Sequence, residues 1–274
     1  MKMHLSLMLL FCLGTVMTQA ADDKEVAGKK LPKLDLYLCI GQSNMAGRGP
    51  MNKELGDEKP IPNAYLFTPD NNWEPASNPL NRYSTIRKDM KMQQISPAYG
   101  FAKEVAAVSK RPIGLVVNAK GGTSITQWLK GAEDGFYEEA LKRALEAKKW
   151  GDFKAILWHQ GEANSSTGGA KAYPEQLRRM VEDFRRDLGD EKLLFVAGEL
   201  AHWRKYSDGR DANAAFNEMI DKIATFLPHS AVVSAEGLKP LNGDLKDPHF
   251  DRESQLIFGK RYGEVVIKAG VVSK

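Results

Sequence analysis

The chain has 274 residues, 42% of them hydrophobic and 27% charged, with a formal net charge of +4. So mild a charge, with lysines and arginines interspersed among acids and no basic stripe carrying aromatics, gives no nucleic-acid track. Of two cysteines, Cys12 lies in an N-terminal apolar run, so Cys39 alone remains for the folded domain and an internal disulfide is excluded.

Residues 1–20 open with Lys2, run apolar over 5–16 and end Thr18-Gln19-Ala20. This is the pattern of a secretory signal peptide cleaved near Ala20. The run is too short for a comfortable membrane anchor, and Leu10-Phe11 before Cys12 lacks the small residue that precedes a lipidated bacterial cysteine. Export to the periplasm or the medium is therefore expected. Residues 21–33 read as a short charged leader, and 34–274 as one domain, since roughly 250 residues bury a substantial single core.

The apolar run over 34–40 predicts a buried strand that stops at Gly41. Residues 49–95 are rich in Pro, Asn, Asp and Gly, with little periodicity, and read as a long functional loop. A helix is expected over 97–108, with Pro97 at its start. Strands follow over 112–118, 153–159, 192–197 and 231–235. Helices follow over 135–150, 173–188, 211–226 and 254–269. About five strands that are apolar on both faces, each followed by a helix, describe an α/β fold with a central parallel sheet covered on both sides.

In such a sheet, ligands bind beyond the carboxyl ends of the strands, so the segments that follow them are informative. The first strand leads into Gly41-Gln42-Ser43-Asn44-Met45-Ala46-Gly47 and the second into Lys120-Gly121-Gly122-Thr123-Ser124. The third leads into His159-Gln160-Gly161-Glu162, and the fifth into a loop reaching Asp247-Pro248-His249. Ser43 is a candidate nucleophile and equally a candidate helix N-cap; Met45 removes the Gly-x-Ser-x-Gly elbow. A serine hydroxyl needs a base to take its proton. His249, in a late loop with an acid two residues before it, fits that role best. His202 and His229 lie in polar loops without a motif, and His159 reads as support for its own loop. The backbone N–H groups of Ser43 and Gly121 and the side-chain amide of Gln160 could hold an oxyanion. Otherwise Gly121-Gly122 is a turn and Gln160 a loop amide. No phosphate-binding glycine loop stands at a strand end. His159 with Glu162 lacks a third metal ligand, and no carboxylate pair stands out for glycoside hydrolysis.

Gly41-Gln42-Ser43-Asn44-Met45, Gly121-Gly122-Thr123-Ser124, His159-Gln160-Gly161-Glu162 and His249-Phe250 together resemble the sialate O-acetylesterase-like domain. That domain is carbohydrate esterase family 6, within the Ser-Gly-Asn-His (SGNH) hydrolase superfamily. Trp73-Glu74-Pro75-Ala76 and Gly100-Phe101-Ala102 resemble its intervening segments, and the likeness spans about 34–269. The resemblance implies a three-layer α/β/α sandwich, flavodoxin-like, with the site at the strands' carboxyl ends. It implies Ser43 as nucleophile, His249 as base, Ser43 and Gly121 as backbone oxyanion donors, and Gln160 as side-chain donor. It implies no metal and no organic cofactor. In one respect the chain departs from the pattern: the family's Asp three residues before the histidine is Lys246 here. Asp247 is taken as the orienting acid, with Asp244 and Asp251 as runners-up.

The function expected is a secreted serine esterase that removes O-acetyl groups from carbohydrate, acetylated xylan or O-acetylated sialic acid, through a covalent acyl-enzyme. The alternative is a catalytically silent, sugar-binding copy of the same fold, supported only by the displaced aspartate. A lipase or thioesterase would want an apolar acyl tunnel, which the polar 49–95 segment does not suggest.

Overall fold

The computed structural model describes residues 31–274, together with the backbone of 25–26 and 29–30, which pair as a short antiparallel ribbon. The expected signal peptide and most of the leader lie outside the described residues. No helix among the described residues is long and apolar enough to cross a membrane.

Seven strands form one sheet. They are β1 (Leu34–Gly41), β2 (Ala64–Phe67), β3 (Trp73–Pro75), β4 (Ile113–Ala119), β5 (Gly151–His159), β6 (Leu194–Gly198) and β7 (Ser230–Val233). Their order is β3-β2-β4-β1-β5-β6-β7, and only the edge strand β3 runs antiparallel. Along β1, Leu34, Leu36, Leu38 and Ile40 enter one core, while Tyr37 and Cys39 enter the other. All six are fully buried. This period of two, apolar on both sides, is why β1 must lie in the middle of three layers. The first core is closed by α3 (Phe136–Lys148), α4 (Thr167–Leu188) and α5 (Ala214–Asp221), and the second by α2 (Pro97–Val108) and α7 (Arg252–Lys268). Two single turns complete the set, α1 (Ser43–Ala46) and α6 (Ile223–Phe226).

Three expectations are corrected. The sheet has seven strands rather than about five, because β2 and β3 lie inside the segment read as loop. They hold four and three residues, too few to show a period, and Pro75 is tolerated because β3 is an edge. The helix expected over 173–188 begins six residues earlier, at Thr167, and carries Pro174 within it. The helix expected over 211–226 begins at Ala214 and breaks at Lys222, whose backbone (φ −91°, ψ 14°) leaves the helical region; Asp211 instead bridges to Lys205.

Register sets the site's level. Gly41 at the end of β1 aligns with Ala119 of β4 and with His159 of β5, so three loops leave the sheet side by side. The chain passes from β4 to β5 across β1, which makes this the topological switch point where a crevice opens. The fourth loop of the site precedes α7, and α7 is seated on α2 by bare backbone. A Cβ on Gly259 would stand 2.1 Å from the Pro97 carbonyl oxygen and 2.8 Å from the Gly100 Cα, and one on Gly100 would stand 2.3 Å from the Leu256 carbonyl oxygen. Gly259→Val should therefore force the helices apart. The expected cost is about 1–3 kcal/mol or more, read as a lower thermal midpoint; an unchanged midpoint would show that the pair separates freely.

Candidate active site

The turn after β1 is shaped by glycine. Gly41 has φ 136°, and a Cβ there would lie 2.2 Å from the His159 carbonyl oxygen. That same oxygen accepts the Gln42 N–H at 2.8 Å. Ser43 then opens α1; the N-cap position belongs to Gln42, which makes no side-chain cap. The Ser43 hydroxyl is thus free of helix capping, and its oxygen lies 2.8 Å from His249 Nε2. Gly121, in the loop after β4, packs directly on the serine: a Cβ there would be 3.1 Å from Ser43 Cβ. Among the described residues the backbone N–H groups of Ser43 and Gly121 have no partner. Two open donors therefore sit beside one hydroxyl.

The imidazole is held from behind. Asp247 Oδ1 lies 2.6 Å from His249 Nδ1 and accepts the His249 backbone N–H at 2.9 Å. Nδ1 beside a carboxylate carries the proton, which leaves Nε2 to accept from the Ser43 hydroxyl. Trp203 Nε1 donates to the Asp247 carbonyl oxygen at 2.9 Å. The runners-up are engaged elsewhere: Asp251 caps α7 through the Ser254 N–H, and Asp244 accepts the Lys246 N–H. Asn44, next to the serine, donates to the Pro248 carbonyl oxygen and accepts from the Phe250 N–H, so the nucleophile turn and the histidine loop are stitched together.

Burial holds the His249 imidazole below its ordinary proton affinity; Asp247 pulls it up, and the nearby Arg48 cation pushes it down. The net effect is downward, so at neutral pH the ring is the free base. His159 is fully buried and also held low, chiefly by burial. Its Nε2 faces the Glu199 carbonyl oxygen at 3.0 Å, just beyond the end of β6. Its Nδ1 lies 4.0 Å from Glu162 Oε1, and no group of three His, Cys, Asp or Glu among the described residues could hold a metal ion. His202 meets Glu199 at 2.9 Å, away from the serine.

Gln160 stands differently from its expected role. Its Nε2 donates to the Thr123 carbonyl oxygen and to Asn164 Oδ1, both at 2.9 Å, and its Oε1 accepts from the Tyr173 hydroxyl. Both amide hydrogens are engaged, so in this structure Gln160 offers no donor to the serine. Sequence reading passed over Arg48, Lys88, Met92 and Ala163, which line the crevice of about 350 Å³ with Ser43, Gly121 and His249. Lys88 and Met92 come from the segment read as loop, which is pinned over β4 by Asn81 bonding both backbone groups of Ala119. A cation set between Gly47 and Gly49, five residues after the serine, is the one signal that could have singled out Arg48.

A model of the family described as carbohydrate esterase, sialic acid-specific acetylesterase, matches residues 33–268. A probable carbohydrate esterase of Arabidopsis thaliana is 30% identical over 257 residues, which cover 87% of this chain and 92% of that protein. The crystal structure of an Arabidopsis thaliana protein is similar with a TM-score of 0.73 at 27% identity, over 86% of this chain and 99% of that one. A carbohydrate acetylesterase of Xanthomonas citri shares the fold, with a TM-score of 0.59 at 21% identity, over 84% of this chain and 55% of that one. The fold is the SGNH-like one that the motifs implied.

The electrostatics give a direct test. In an NMR titration the His249 imidazole should protonate below the ordinary histidine value of about 6.5. Asp247→Asn removes the group that raises it, so the midpoint should fall further. A midpoint above the ordinary value, or one that rises in the variant, would contradict the balance described.

Proposed function

The chain belongs to the sialic acid-specific acetylesterase family of carbohydrate esterases, and we propose that it removes O-acetyl groups from sugars through an acyl-enzyme on Ser43. It is a carboxylic ester hydrolase. The observation that carries the mechanism is the line from Asp247 Oδ1 through His249 to Ser43 Oγ, with contacts of 2.6 and 2.8 Å. Ser43 Oγ attacks the acetyl carbonyl while His249 Nε2 takes the hydroxyl proton. The carbonyl electron pair moves onto oxygen, where the Ser43 and Gly121 N–H groups receive it. As the intermediate collapses, His249 returns the proton to the departing sugar oxygen, and the acetyl group stays on Ser43. Water then repeats the sequence, with His249 as base, and releases acetate.

The substrate class rests on the family description and on the acetylesterase likeness, supported by the charged residues Arg48, Lys88 and Glu162 among those that line the crevice. O-Acetylated sialic acid and acetylated xylan are the two substrates proposed. Export is part of the same reading and rests on residues 1–20; the secreted form should begin near Ala21 by mass, and an unprocessed N-terminus would count against it.

Ser43→Ala should reduce acetate release by about 10³-fold or more without unfolding the protein. Acetylated xylan, O-acetylated sialic acid and acetylated monosaccharides form the assay panel. A Ser43→Ala variant with near wild-type turnover would overturn the mechanism, and a wild-type protein inert on the whole panel would overturn the substrate class. Asp247→Asn should lower kcat by at least about 10²-fold with little change in KM, because the acid fixes the tautomer and stabilises the imidazolium. Asp244→Asn and Asp251→Asn should each cost less than about tenfold; a large loss at either instead would move the third role away from Asp247.

A further inference from the structure

We propose that the guanidinium of Arg48 is the third donor to the oxyanion in this site, an inference that rests on Ser43 being the nucleophile. Arg48 is rigidly placed. Gly47 has φ 99°, and a Cβ there would lie 2.2 Å from the Gln94 carbonyl oxygen, so only glycine lets the chain run this close to the returning loop. The Arg48 and Gly49 N–H groups both donate to the Ile95 carbonyl oxygen, and Ile95 N–H donates back to Gly49. At the far end of the side chain, Nη1 donates to the Gly47 carbonyl oxygen at 2.6 Å and to the Met92 carbonyl oxygen at 2.9 Å. Backbone and fork are therefore both anchored, which fixes the direction of the other terminal nitrogen.

That nitrogen, Nη2, points at the serine's other neighbour. A Cβ on Gly121 would stand 2.8 Å from Arg48 Nη2 and 3.1 Å from Ser43 Cβ. Nη2 has no hydrogen-bond partner among the described residues, and no carboxylate there comes within 4.0 Å of the guanidinium. Arg48 is half-buried and lines the crevice with Ser43, Gly121 and His249. A partly desolvated cation with no carboxylate in direct contact, its free N–H group turned towards two open backbone donors, is matched to an anion that exists only during reaction. The tetrahedral intermediate supplies one. When Ser43 Oγ bonds to the acetyl carbon, the carbonyl pair becomes a full negative charge on oxygen, and the serine proton goes to His249. Arg48 transfers no proton; it donates a charge-assisted hydrogen bond. Gln160, whose amide hydrogens are both engaged elsewhere, leaves this third position open.

A second anion could in principle use the same cation, namely a carboxylate carried by the sugar. A substrate without one separates the two. With 4-nitrophenyl acetate, Arg48→Gln should lower kcat by about 10²-fold, the usual effect of deleting one oxyanion donor, with KM changed less than about threefold. Arg48→Lys keeps the charge and should recover at least about tenfold of that loss. Phenylboronic acid, which becomes a tetrahedral anion on the serine, should bind both variants more weakly in the same order. The acid limb of the pH–rate profile should move to higher pH in Arg48→Gln, because the cation that disfavours the imidazolium is gone. Turnover within about threefold of wild type on this neutral ester, with a KM penalty confined to carboxylated sugars, would reassign Arg48 to substrate binding and overturn the proposal. Equal losses in the two variants with a lowered thermal midpoint and an unmoved acid limb would make Arg48 a scaffold residue and overturn it as well. Ser43→Ala run alongside keeps the premises apart: an active Ser43→Ala removes the nucleophile itself, whereas an inactive one beside an unimpaired Arg48→Gln removes only the role of Arg48.

Discussion

Everything at the site depends on one buried carboxamide, that of Asn44. Its Nδ2 donates to Glu162 Oε1 at 3.0 Å and to the Pro248 carbonyl oxygen at 3.1 Å, and its Oδ1 accepts from the Phe250 N–H and from Gln255 Nε2. An amide has two donor hydrogens and two acceptor positions, and here all four are filled. The partners come from the loop after β5, the loop that carries His249 and the first turns of α7, while Asn44 itself follows the serine. Ser43 and His249 are 206 residues apart in sequence, so a hydrogen bond between them needs such a joint. With all four of its positions filled, the Asn44 amide also admits one orientation far better than any other.

What could be read from the sequence and what could not divides along physical lines. Long strands buried on both faces announce themselves by apolar runs, which is why β1, β4, β5 and β6 stand close to their expected positions. Strands β2 and β3 are short and flanked by prolines and asparagines; β2 forms because β4 offers it an edge, and β3 because β2 then offers the next. No local pattern records that. In the site, the Asp247–His249 contact was legible because two residues apart in one loop is already close in space. The Gln160 side chain was not, since its position is decided by Thr123, Asn164 and Tyr173, none of which is its neighbour in sequence. Arg48 escaped for a similar reason: its direction is set by Met92, 44 residues away.

The charges around His249 are arranged in opposition. Asp247 raises its proton affinity through direct contact, while burial and the Arg48 cation lower it. A base that must first accept and then return a proton works best when neither state is strongly favoured. Asp247 alone would bias the ring towards the imidazolium, and burial alone would make that state too costly to reach. Because Arg48 and Asp247 also act on each other, a change at either one alters both the ring's resting state and the field in the crevice.

Gln160 shows how a motif residue can serve the chemistry without touching it. Its Nε2 holds the Thr123 carbonyl oxygen, and Trp128 Nε1 holds the Thr123 hydroxyl at 3.0 Å. Thr123 is therefore fixed from the backbone and from the side chain, two residues beyond Gly121. On the other side, Tyr173 connects Gln160 to Trp158 within β5, with contacts of 2.9 Å. The amide is thus a strut between the loop after β5 and the loop after β4. Donors for a developing charge are useful only if they are already in place when it appears, since reorientation during reaction would cancel their benefit. A glycine N–H has no side chain to anchor it and is the donor most in need of outside support. Holding Gly121 against Ser43 through Thr123 explains why a glutamine is wanted at position 160 even though both its hydrogens point away from the serine.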